Sequence, residues 1–195
     1  MPVSSPKQRI ELLEDDLKAV PPRISVYHDL PFAILRYEPS EEWALRREVK
    51  LLATRLEGAG KEVHIIPMSE FLWKAIEETE GLDAVAELER ERGYIAAQEQ
   101  VTTYLSDKDW RPLPKLLQER LEKLDPVRDV VFLTRVAIMS PGLFHMSKLI
   151  DQMTGKTRVM TILFFPGSFE GPSGLRFMGL KERESVASFR VKIYD

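Results

Sequence analysis

Four short apolar runs, "PFAILRY" (31–37), "KEVHIIP" (61–67), "DVVFLTR" (129–135) and "RVMTILFF" (158–165), are each separated from the next by enough chain for a helix. Two strands that pair in parallel need a crossover of a dozen or more residues, and these gaps supply it. The first, third and fourth runs are apolar nearly throughout, which suits strands buried on both faces. The reading is an α/β fold: an open, mostly parallel sheet of four to five strands with helices on both faces. Phe189, Val191 and Ile193 alternate with Arg190, Lys192 and Tyr194 and supply the fifth strand, at an edge.

The stretches between the runs carry helical spacing. Ile10, Leu13, Leu17 and Val20 share one face ahead of Pro21 and Pro22, which stop the helix because proline lacks an amide donor. Ser40 stands where it can cap a helix whose first turn holds Glu41 and Glu42 and whose packing stripe is Leu45, Val49, Leu52 and Leu56, with Gly58 and Gly60 ending it. Ser69 is placed to cap the next helix, and Ser140 with Pro141 suits the start of one that reaches Met153, with Gly155 at its end. Residues 82–124 read as a helical insertion between the second and third strands. Its first part has an apolar face that weakens near Gly93; its second is built on Leu113, Leu116, Leu117, Leu121 and Leu124. One domain spanning 1–195 is expected, with 1–22 as an N-terminal helix and linker.

Composition narrows the function classes. A net charge of −3 gives no global attraction to nucleic acid or to an anionic membrane, and the absence of cysteine removes disulfides, thiol nucleophiles and cysteine metal sites. Neither a membrane-length apolar run nor a signal-peptide core is present, so a cytoplasmic location is expected. His28, His64 and His145 fall in separate segments without a metal-binding spacing, and no metal or cofactor is assigned. Trp43, Trp73 and Trp110 read as core or interface residues, because no basic patch surrounds them in the sequence.

The stretch "FFPGSFEGPSGLRF" (164–177) follows the fourth strand as a glycine-rich loop would. A phosphate-binding loop needs G-x-x-x-x-G-K-[ST] running into a helix; this one has neither the lysine nor the helix, and G-x-G-x-x-G is missing as well. Two strands finish in a guanidinium, Arg36 and Arg135, and Arg176 lies just past the loop. If those strands are neighbours, Arg36, Arg135, Pro166, Gly167, Gly171 and Arg176 form one anion-binding or docking edge. The bland alternative is that each arginine pairs with a carboxylate such as Glu38, Asp129 or Glu170. Those same acids would be the ones to test for a hydrolase or nuclease. The run "ELERER" reads as a solvated helix face, and its Glu87, Glu89, Arg90 and Glu91 are the candidate partner contacts.

Several spaced blocks together, "LPFAILRYEPSEEWALRREVKLLATRLEGAGKEVHIIPMSEFL", "DVVFLTRVAIMSPGLFHMSKLIDQMTG", "TILFFPGSFEGPSGLRFMGL" and "FRVKIYD", resemble BrxB, a small component of the BREX bacteriophage-exclusion systems. Val136, Ala137, Met160, Phe165 and Phe189 depart from that family's pattern, which has alanine-glycine, proline and two tyrosines at those places. The resemblance implies a role in antiviral defence beside an alkaline-phosphatase-like protein, a large ATPase and a DNA methyltransferase. It implies no catalytic residues and no cofactor. Together with the missing catalytic motifs it points to a non-enzymatic adaptor or assembly subunit, without direct DNA contact and with no oligomeric state specified. The alternatives kept open are an anion- or nucleotide-recognising domain using the strand-end arginines and, behind it, a nuclease or hydrolase.

Overall fold

Each of the four apolar runs becomes a strand. In the computed structural model, which describes residues 6–25, 29–139, 142–170, 174–178 and 187–195, these are β1 (Phe32–Tyr37), β2 (Glu62–Pro67), β3 (Asp129–Thr134) and β4 (Met160–Glu170). The short strands β5 (Gly174–Phe177), β6 (Ala187–Ser188) and β7 (Lys192–Tyr194) follow. The main sheet runs β2-β3-β4-β1-β7 with every neighbour parallel, and β5 adds antiparallel to the outer half of β4, with β6 on β5. The sheet is open, with β2 and β7 at the ends of the main order.

The order of the strands explains why both faces are covered. The chain leaves β1 through α2 (Glu42–Glu57) and travels across two strands to β2; it then steps back through β3 to β4. Right-handed crossovers in opposite directions along a sheet place their helices on opposite faces. α1 (Pro6–Lys18) and α2 pack on one face, where Leu13, Leu17, Leu52 and Leu56 meet Leu35, Phe132 and Phe164. The other face takes α3 (Met68–Glu77), α5 (Tyr94–Ser106), α6 (Leu113–Leu121) and α7 (Met146–Gln152) against Ile34, Leu133 and Leu163. Successive residues of β1, β3 and β4 alternate between these two cores, as the pleat requires. Arg9, buried in α1, ties that helix to the end of β1 by donating to the Arg36 carbonyl at 2.8 Å and to both oxygens of Glu41 at 3.0 and 2.8 Å.

Several local expectations change. α1 stops at Lys18, so Val20 is 98% exposed instead of joining the apolar face. Ser40 caps nothing: it lies inside a 3-10 turn, Pro39–Glu41, that precedes α2, and the Glu41 carboxylate accepts the Glu38 amide at 2.9 Å. Ser69 is the second residue of α3, which begins at Met68. After β3 a 3-10 turn (Val136–Met139) comes first and α7 starts only at Met146; Ser140 and Pro141 lie outside the described residues, as does His28. The first stretch of the insertion is two helices, α4 (Gly81–Arg92) and α5, because Gly93 turns the chain at φ 86°.

The largest correction concerns the glycine-rich stretch. Pro166 and Gly167 do not open a loop; they continue β4, which pairs through Glu170 with β5. Pro166 is tolerated because β3 has already parted from β4 after Leu163, so that side of the strand needs no donor. Gly167 is required by close approach: a Cβ there would stand 2.2 Å from the Arg176 carbonyl oxygen.

Candidate functional site at the carboxyl edge

β1, β4 and β3 are adjacent and parallel, so Arg36, Pro166 and Arg135 emerge on one edge of the sheet. In open α/β sheets the ligand crevice lies at this edge, where neighbouring connections leave to opposite faces. Here β1 leads to α2 on one face and β3 leads to α7 on the other, with β4 between them. The predicted convergence of the strand ends is therefore present.

The three arginines nevertheless differ. Arg36 is 3% exposed, ion-paired with both Glu38 and Asp195, and donates to the Gly167 carbonyl at 3.0 Å. Its charge is spent on holding β1, the β4 extension and the chain beyond β7 together. Arg176 is ion-paired with Glu170 across the β4–β5 hairpin. Arg135 is exposed, and among the described residues it has no ion pair or hydrogen bond from its side chain. Its backbone is left-handed at φ 54°, a conformation that costs a non-glycine residue about 1–2 kcal/mol. Gly171 lies outside the described residues.

Beside Arg135 a groove of about 460 Å³ opens between α2 and the ends of β1, β2 and β3. Leu45, Val49, Ile65 and Phe164 form its apolar lining; Trp43, Arg46, Arg47, Lys50 and Arg135 supply an indole and four cations. A second cavity of about 300 Å³ shares Glu42, Arg46 and Arg135 with the first and reaches Met178. The non-glycine residues with left-handed backbone among those described are Arg135 and Met178, and both line this second cavity. Stored strain of this kind gathers at functional sites.

The α2 contribution was missed in the sequence. Trp43, Arg46, Arg47 and Lys50 stand at i, i+3, i+4 and i+7, one face of a helix, beside the Leu45–Val49–Leu52–Leu56 packing stripe. That spacing was the available signal. Trp43 is 78% exposed with the Arg46 guanidinium 4.6 Å from its ring, so a basic patch does surround this tryptophan. Trp73 is half-exposed on α3, and Trp110 packs on Tyr104 with 5.2 Å between ring centres.

Glu42 is the acceptor at the centre of the groove's polar contacts. Glu42 accepts from Arg46 Nε at 2.7 Å and from the Tyr37 hydroxyl. Burial, and then the hydrogen bond to Glu42, hold that hydroxyl far above the usual phenol range, so it stays a donor. Among the described residues no histidine lines the groove, and Glu42 is its one carboxylate.

The remaining candidates lie elsewhere. Glu87, Glu89, Arg90 and Glu91 are all exposed on α4, a helix with no buried residue. Glu38 and Asp129 sit at opposite ends of the sheet, one after β1 and the other at the start of β3, so with Glu170 they do not assemble a single acidic site. Asp129 instead meets Glu62 and His64 at the amino edge, with ligand atoms within 4.8 Å of one another. His64 Nε2 is 3.5 Å from Asp129 Oδ2 and makes no hydrogen bond, nor does Asp129 Oδ1. Arg128 pairs with Glu62 at 2.8 Å and stands 3.7 Å from Asp129, supplying the counter-charge that a metal ion would otherwise bring. His145 is exposed just ahead of α7.

Residues 64–191, more than half of the chain, match the family model described as BREX protein BrxB. The match runs from within β2 through the helical insertion to just before β7; α2 precedes it. No curated protein and no solved structure matches the chain.

Proposed function

The chain belongs to the BrxB family, and from that premise we propose that this component of a BREX antiviral system is a non-enzymatic adaptor. The observation that carries the reading is α4. It adds no buried residue to either core, yet it is a full helix, with Leu82 exposed on it and Tyr94 and Ile95 exposed just past its end. Apart from Val85, half-buried against the core, the helix is available to a partner, and Glu87 and Glu91, four residues apart on one side, give that side a negative sign, with Glu89 exposed on another. The partners proposed are the alkaline-phosphatase-like component, the large ATPase and the DNA methyltransferase.

The test reverses the exposed glutamates of α4. Glu87→Lys, Glu89→Lys and Glu91→Lys together should deplete the other BREX components from a tagged pull-down and reduce phage exclusion, while circular dichroism shows an unchanged fold. Full assembly with the reversed helix would sink the choice of α4. A second reading, anion recognition at the carboxyl edge, rests on Arg135, the one of the three strand-edge arginines without a carboxylate partner among the described residues. Among the described residues no helix is long and apolar enough to cross a membrane.

A further inference from the structure

We propose that the groove between α2 and the carboxyl ends of β2 and β3 binds an acidic peptide segment of a partner protein, with an aliphatic side chain seated on Ile65 and acidic residues on Lys50 and Arg135. The proposal deepens the adaptor reading by adding a second contact surface, distinct from α4.

The groove opens where α2 leaves part of β2 uncovered. α1 packs against β1 and β7, and α2 packs against β2. Among the described residues β2 ends the main sheet with no strand on its outer side, and Ile65 remains 39% exposed beside α2. A groove of about 460 Å³ with a half-covered apolar floor suits one or two anchoring side chains.

Charge then selects the occupant. Arg46, Arg47, Lys50 and Arg135 line the groove against the single carboxylate of Glu42, in a chain whose net charge is −3. Arg46 is held by Glu42 at 2.7 Å, and Arg47 is loosely paired with Glu48 at 3.8 Å. Lys50 and Arg135 have no side-chain partner among the described residues, so theirs is the charge open to a ligand. Local excess of one sign around an apolar floor is the pattern that recruits a segment of the opposite sign.

A nucleic acid fits less well. Duplex or single-strand binding needs a basic track that follows several phosphates, and here the cations are few and confined. The turn that enters α2, where free amides would meet a phosphate, carries Glu38, Glu41 and Glu42. The apolar floor would also go unused by a phosphate backbone.

The experiment is a peptide array tiled across the co-encoded BREX components and probed with the purified full chain, followed by fluorescence anisotropy of the bound peptides. Segments rich in Asp and Glu around a Leu, Ile or Val should be retained. Their affinity should fall about tenfold or more when Lys50→Glu and Arg135→Glu are combined, and should weaken as salt rises. Ile65→Ser should weaken binding without changing the salt slope. The α4 reversal should leave peptide affinity intact, so failure of the α4 contact and failure of the groove are read separately. Retention of basic or uncharged peptides, no saturable binding, or binding untouched by the Lys50 and Arg135 reversals would overturn the proposal. So would a labelled single-stranded oligonucleotide or ATP that binds more tightly than any peptide and is lost with the same two changes.

Discussion

Gly167 and Arg135 stand at the same edge of the sheet with opposite tolerances for change. A methyl at Gly167 meets the Arg176 carbonyl, which is backbone and cannot rotate away. Gly167→Ala should destabilise by about 1–3 kcal/mol, seen as a lower urea midpoint with an unchanged slope. A wild-type midpoint would mean that the hairpin crosses less closely than described. At Arg135 the left-handed backbone is relieved by glycine, partly offset by the larger freedom that glycine has when unfolded. Arg135→Gly should therefore hold stability within about 1 kcal/mol of the native chain, by the same denaturant measurement. A larger loss would show that the Arg135 side chain supports the fold.

At the scale of elements, α1 is joined to the sheet by charge as well as by Ile10, Leu13 and Leu17. Burial would raise the Asp16 carboxyl, but Lys192 and the Tyr194 hydroxyl, which donates at 2.7 Å, together hold it below its ordinary 3.8. Glu14 is likewise lowered from 4.5, burial being outweighed by Lys18 and Arg55, the latter at 2.7 Å on α2. Folded-state values below the unfolded ones mean stabilisation that is present in full above these reference values and lost as pH falls through the folded ones. Melting temperature should therefore fall as the solution is acidified below pH 4.5, and Asp16→Asn should shallow that fall while lowering stability at neutral pH. An acid limb identical in the variant would contradict the assignment. α4 is the converse case, since it has no buried residue: its three-glutamate reversal should change unfolding free energy by no more than about 0.5 kcal/mol. A larger loss by denaturant titration would place those side chains in the fold rather than at its surface.

For the whole molecule, the adaptor proposal assigns the carboxyl edge to contact rather than to phosphate chemistry. Two of its three arginines are committed to carboxylates, and the glycine between them serves strand packing. The purified chain should accordingly show no magnesium-dependent ATP or GTP hydrolysis and no nucleotide-dependent thermal shift. A saturable shift, weakened by Arg135→Ala, would favour anion recognition over the adaptor reading.

The sequence by itself determined the five strands of the main order, their parallel pairing and the two-sided covering of the sheet. Those follow from local periodicity and from crossover length, which are properties of neighbouring residues. It also carried the likeness to BrxB and the exposed character of the "ELERER" face. Glu38 and Glu170 were legible as carboxylates for the strand-edge arginines, and Arg36 and Arg176 do pair with them; the second partner of Arg36, Asp195, was not, because it lies far along the chain and only the sheet brings it near. The glycine-rich stretch read as a loop because proline and glycine break local patterns; only the approach of β5 makes it strand. The groove is also a tertiary product. Its stripe on α2 was present at helical spacing, but a stripe becomes a site only where folding leaves Ile65 uncovered and brings Arg135 beside it from more than eighty residues away.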